Sequence, residues 1–142
     1  MKQTLFSISM FFLLFAASAQ DLEAYQKLRG EILSSIPEND YTRHQYNAFD
    51  TNKGTGFMAK DVNGWIGLNL GANYTLQKVR IYPMPDRHQQ MSGTLIQGSE
   101  NPNFTNPTTL LTISEALIPG EFNTFQVSGV QSFQYIRCIN PH

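Results

Sequence analysis

Residues 47–70 read NAFDTNKGTGFMAKDVNGWIGLNL, an oxygen-rich turn that passes through a loop into a stretch with strand periodicity. Within WIGLNLG, Ile66, Leu68 and Leu70 alternate with Gly67 and Asn69. A period of two turns one apolar face inward and the other outward, so a half-buried strand is expected here. Upstream, Asp50, Asn52 and Thr55 crowd hard oxygens around Gly54 and Gly56. Such a set suits a hard cation such as calcium, which takes about six to eight oxygen ligands. The same residues also suit an Asx-turn, in which Asp50 caps the backbone of its own loop.

The same alternation recurs outward from this stretch. In LQKVRIYP, residues 76–83, Val79 and Ile81 are expected to face inward and Arg80 and Tyr82 outward. Further strands are expected at Ile32 to Ile36, Gly93 to Ser99, Thr109 to Ile113, Asn123 to Val127 and Phe133 to Ile139, with Gly, Pro and Asn marking most of the turns between them. Pro37 begins a polar loop that runs through Tyr46. Asp21 to Arg29 carries Leu22, Tyr25 and Leu28 at three-residue steps, a short amphipathic helical turn that Gly30 ends. Many short strands without a long helix between them argue for an all-β sandwich. With 142 residues, 41% of them hydrophobic, one domain with its own core is the expectation.

The amino end, MKQTLFSISMFFLLFAASAQ, has one basic residue at Lys2, an apolar run from Leu5 to Phe15, and Ala17-Ser18-Ala19 as a small-residue cleavage site. This is the pattern of a secretory signal peptide, residues 1–19, cut before Gln20. The apolar run is shorter than the roughly 20 residues a membrane-spanning helix needs. The mature chain is therefore expected to be extracellular, with residues 20–29 a short leading segment and residues 30–142 the domain. The formal charge is −1, and losing Lys2 makes it one unit more negative. That balance argues against nucleic acid, whose phosphates call for a basic face. The sequons at Asn73 and Asn103 fall in expected turns, where a glycan could be carried. Cys138 is the one cysteine, so no intrachain disulfide forms. It shares a strand face with Ile136, which suits a buried thiol; an intermolecular disulfide is the other reading.

The chain has no HExxH, no GxSxG, no Walker loop and no Cys-plus-His pair at ligand spacing. Asp50 with Asp61 could be drawn as a glycosidase pair, but nothing assembles nucleophile, base and orienting partner. Asp50 is better placed in its turn and Asp61 in solvent. An enzyme is not expected.

Taken in order, AFDTN (48–52), GWIGLNLG (64–71), KVRIYP (78–83), QMSG (90–93), QGSE (97–100), TLLTI (109–113) and FQYIRCINP (133–141) resemble the discoidin family. This is the coagulation factor V/VIII type C domain family, galactose-binding-like in fold, which includes the family 32 carbohydrate-binding modules. The resemblance runs from about Gly30 to Pro141. Thr51 stands where the family usually has Gly, Asn69 where it has Asp, and Gln90 where Arg commonly precedes Met. The family's pattern also continues past this chain's last residues to a closing strand with an acidic residue, so the domain is expected to be C-terminally incomplete.

The resemblance implies an eight-stranded jelly-roll β-sandwich and a ligand met by three loops at one end, matching 37–46, 58–64 and 84–91 here. The candidate ligand residues on them are Tyr41, Arg43, His44, Arg87 and His88. Aromatic planes stack on the apolar face of a sugar while Arg and His bond its hydroxyls. Asp50, Asn52 and Thr55 match the family's calcium turn residue by residue. Trp65 matches a structural tryptophan that enters a strand, with Phe57 and Phe49 read the same way. The expected partner is a glycan or glycosylated surface, with membrane association peripheral at most. The alternatives are an adhesion or structural module that binds protein or phospholipid, and a truncated domain with no ligand. Absence of the closing strand should leave one sheet edge open to association with another chain.

Overall fold

A computed structural model describes residues 26–36, 44–59 and 62–141. Among these residues seven strands form two antiparallel sheets. In chain order they are β1 (Glu31–Ser34), β2 (Trp65–Thr75), β3 (Lys78–Ile81), β4 (Leu95–Ser99), β5 (Thr108–Thr112), β6 (Asn123–Gln126) and β7 (Ser132–Ile139). Among the described residues the larger sheet has the order β1-β2-β7-β4-β5, and β3 pairs only with β6. Two short 3-10 turns, Gln45–Ala48 and His88–Met91, punctuate the loops. No α-helix occurs among the described residues.

Each of the seven strands stands where alternation places one. In β2 and β7, Ile66 lies opposite Cys138 and Leu68 opposite Ile136, and β4 adds Ile96 beside Cys138. These side chains share one face because a strand's side chains repeat every second residue. They line a cavity of about 870 Å³ whose other wall is Val79 and Ile81 of β3. The two sheets thus face each other across an apolar space. Away from this cavity, Ile113, Leu117 and Phe104 are packed to less than 5% exposure.

Close approach shapes the sheet at Gly98. A Cβ there would run into the ring of buried Phe133, so the strand can cross that ring only with hydrogen in place of a side chain.

The structure corrects the sequence reading at three places. Residues 26–29 are not helical; the other residues of the expected helix, 21–25, lie outside the described ones, as does the signal peptide. β2 does not end at Leu70 but runs to Thr75. A bulge separates the pair Asn69–Tyr135 from the pair Tyr74–Phe133, and Gly71 enters the left-handed region at φ 74° while its N–H donates to Asn69 Oδ1 at 3.0 Å. The bulge absorbs the extra residues and lets pairing resume, which glycine in a strand often marks. Asn73 consequently sits in the exposed far end of β2 rather than in a turn, while Asn103 is in the expected turn.

Desolvation pushes the Cys138 thiol up to about 12 from an ordinary 9.0. The folded state therefore keeps the proton where the unfolded chain would lose it. Stability from this group is level below pH ~9 and falls as pH climbs from there toward the folded value. At pH 8 the native thiol should react with an alkylating reagent roughly a thousandfold more slowly than the urea-unfolded thiol, the ratio of the two thiolate fractions. Equal labelling rates in the two states would refute a desolvated Cys138.

Candidate functional site

The turn after Phe49 is built by its own side chains. Asn52 N–H donates to Asp50 Oδ1 at 2.8 Å, and Thr55 Oγ1 donates to Asp50 Oδ2 at 2.7 Å. Gly54 N–H donates to Asn52 Oδ1 at 2.9 Å, and Thr55 N–H to Asn52 O at 3.3 Å. Asp50, Asn52 and Thr55 are thus brought together, in the Asx-turn geometry the sequence allows. Their oxygens have the hardness calcium requires, and Asp50 supplies the one carboxylate of the three. No group of three or more His, Cys, Asp or Glu placed to hold a metal ion occurs among the described residues.

Thr51 bears the strain of this turn. Its φ is 64°, in the left-handed region that a β-branched residue rarely enters. Its hydroxyl donates to Asp50 O at 2.6 Å, a local bond that offsets part of the strain.

The candidate ligand residues divide. Tyr41 and Arg43 lie outside the described residues. His44 immediately precedes the first 3-10 turn, its ring 6.2 Å from that of Tyr46. Arg87 opens the second turn, with Nε 4.0 Å from its neighbour Asp86, and it lines the cavity. His88 turns Nδ1 to Pro85 O at 2.8 Å; a carbonyl only accepts, so this nitrogen carries the proton. Neither His44 nor His88 lines the cavity, whereas Asn47, Gln89 and Gln90 do. These amides were missed because amide side chains in a loop carry no pattern of their own.

Trp65 packs. Its ring lies 5.4 Å from that of Phe104, and the Arg137 guanidinium sits 4.5 Å from the Phe104 centroid and 5.7 Å from that of Trp65. Arg137 Nε donates to Gln97 Oε1 at 2.9 Å, and Gln97 Nε2 donates to Thr109 Oγ1 at 3.3 Å. Burial lowers the Arg137 ionisation below the ordinary guanidinium value. Phe104 holds φ at 52°, a strained conformation for an aromatic residue that burial over-determines. Phe49 and Phe57 line the cavity.

The F5/8 type C domain model matches residues 32–141. No curated protein matches the chain. Among solved structures, CBM62 from Clostridium thermocellum is 26% identical with a TM-score of 0.76, covering 82% of this chain and 87% of its own. The CBM32 of AlyQ, in complex with 4,5-unsaturated mannuronic acid, is 16% identical with a TM-score of 0.60, covering 81% of this chain and 84% of its own. Chitosan-binding module 1 of a Paenibacillus chitosanase/glucanase is 22% identical with a TM-score of 0.60, covering 80% and 83%. The last two likenesses are of fold. Together these findings agree with the jelly-roll β-sandwich expected from sequence.

Replacing Thr51 by Gly removes the left-handed strain at the loss of one exposed hydrogen bond and some unfolded-state order. Thr51→Gly should therefore raise stability by about 0.5–1 kcal/mol in urea denaturation. A variant less stable than the parent would show that the Thr51 hydroxyl matters more than its backbone strain.

Proposed function

Since this chain belongs to the F5/8 type C domain family, we propose that it is a non-catalytic module that binds carbohydrate on glycans or glycosylated surfaces. The observation that carries this reading is the cavity of about 870 Å³. Its size lies within the roughly 300–1,000 Å³ of small-molecule sites, and such sites are mainly apolar with a few polar groups that fix orientation. Phe49, Phe57 and Tyr82 offer ring surface to the apolar face of a pyranose, while Arg87, Asn47 and Gln90 offer donors and acceptors to its hydroxyls. The neighbours described as binding an unsaturated mannuronic acid and chitosan support a saccharide as the class of ligand. No catalytic step is assigned: among the described residues Arg87 pairs with Asp86, and His88 is tied to a backbone carbonyl.

The signal-peptide pattern in the sequence of residues 1–19 supports an extracellular protein. Calcium would be held by Asp50, Asn52 and Thr55 and would neutralise the Asp50 carboxylate, stiffening the turn rather than taking part in chemistry. A second reading is supported by the small sheet. Among the described residues β3 and β6 each have one partner, and such a two-stranded ribbon is marginal alone and open to pairing with another chain.

Glycan-array binding should fall about tenfold or more on Arg87→Ala, the effect of losing a charged hydrogen bond; unchanged binding would remove Arg87 from the site. Calcium should raise the thermal midpoint above that in chelator, and Asp50→Ala should abolish the rise. A midpoint indifferent to calcium in the parent chain would end the metal proposal. Sedimentation equilibrium should reveal concentration-dependent dimers if the small sheet's edge pairs, and a monomer throughout if it does not.

A further inference from the structure

Four side chains from three parts of the chain meet where the small sheet ends. β3 and β6 pair Arg80 with Thr124 and Ile81 with Asn123, and Tyr82 and Phe122 are the next residues beyond that last pair. Their rings meet edge to face, 5.4 Å between centroids at 66°. Lys53, from the Asp50 turn, places Nζ 5.4 Å from the Tyr82 centroid and 5.7 Å from that of Phe122. The Arg80 guanidinium stands 4.3 Å from the same Phe122 centroid. Lys53, Arg80 and Phe122 are exposed, and all four residues border the cavity.

Two cations therefore share one aromatic ring, and neither has a carboxylate at ion-pair distance among the described residues, where the one ion pair joins Asp86 and Arg87. The carboxylate nearest to Lys53 in sequence is Asp50, whose two oxygens are engaged by Asn52 and Thr55. Like charges brought together without a counter-charge repel one another. The rings partly offset this by attracting each cation to a face, and in doing so they hold both in place and lower the cost of ordering them on a ligand. The chain as a whole is slightly acidic at −1, so this positive patch runs against the overall balance.

The geometry points to an anion-recognising subsite, Lys53, Arg80, Tyr82 and Phe122, that takes the carboxylate or sulfate group of an acidic saccharide. The planar guanidinium offers paired donors matched to a carboxylate, and the ammonium adds a point charge with three more. A neutral sugar would leave both cations without a counter-charge, and a polycationic one would be repelled. This inference rests on the carbohydrate reading above and names the kind of glycan.

Calorimetric titration of the purified chain tests it, with an oligogalacturonate, a sulfated galactan oligosaccharide and a neutral galactan oligosaccharide of the same length. Vesicles of anionic phospholipid form a further arm. At least one acidic oligosaccharide should bind about tenfold or more tightly than the neutral one, weakening as salt rises. Which of the two binds better identifies carboxylate or sulfate as the group read. Arg80→Met and Lys53→Met should each cost about tenfold for the acidic ligand and leave neutral binding unmoved. Lys53→Arg should keep the preference; because Lys53 is on an exposed turn, this pair of variants does not depend on the core. Equal affinity for acidic and neutral oligosaccharides, or an acidic preference untouched by either Met variant, overturns the subsite while the carbohydrate reading stands. Binding to vesicles and to no saccharide overturns both.

Discussion

The antiparallel pairing of β2 with β7 is the constraint on which the rest of the molecule depends. It joins residues near the middle of the chain to residues near its end and gives the larger sheet its longest shared ladder, from Trp65 opposite Ile139 to Thr75 opposite Ser132. A slip of β2 by one residue would turn Ile66 and Leu68 to solvent and drive Trp65 and Asn69 toward the cavity. Burial of the aliphatic face selects the register, at about 25 cal/mol for each Å² of apolar surface removed from water. Gly67 sharpens the choice. A Cβ there would collide with Ile136 O and Arg137, so the two strands approach closely where the Arg137 side chain crosses.

Two arginines show how the same side chain is used in opposite ways. Arg137 is partly desolvated, bonded through Nε to Gln97 and stacked over Phe104 and Trp65. It works as packing that carries a charge, covering ring surface with its planar group. Arg80 also rests on a ring, that of Phe122, but it is exposed and shares its ring with Lys53. The first arrangement is closed by its neighbours, whereas the second leaves donors facing solvent. That difference agrees with the proposed recognition at the small sheet and the loops around it, and with a packing role for Arg137 in the larger sheet.

The Asp50 turn connects these regions. Its hydrogen bonds fix the loop that carries Lys53 toward Tyr82 and Phe122. Thr51 pays for that path with an unfavourable backbone angle, while Phe104 does the same within the Trp65 cluster. Each strained residue sits where neighbouring contacts dictate the conformation.

Local pattern was sufficient to place all seven strands and the inward residues of β2, β3 and β7, since alternation is a property of a few consecutive side chains and the need to bury one face. The oxygen set of the Asp50 turn and the outward direction of Arg80 and Tyr82 were legible for the same reason. Tertiary structure alone decided which strands are neighbours, that Asn69 to Tyr74 form a bulge carrying Asn73 out of its expected turn, and that Arg87 borders the cavity while His44 and His88 do not. It alone brought Lys53 and Phe122, which lie on either side of β3 in the chain, to the side chains of Arg80 and Tyr82. Periodicity reports which way a residue points, but the partner across a sheet or loop is fixed by the free energy of closing the whole chain around one core, a quantity that no short stretch contains.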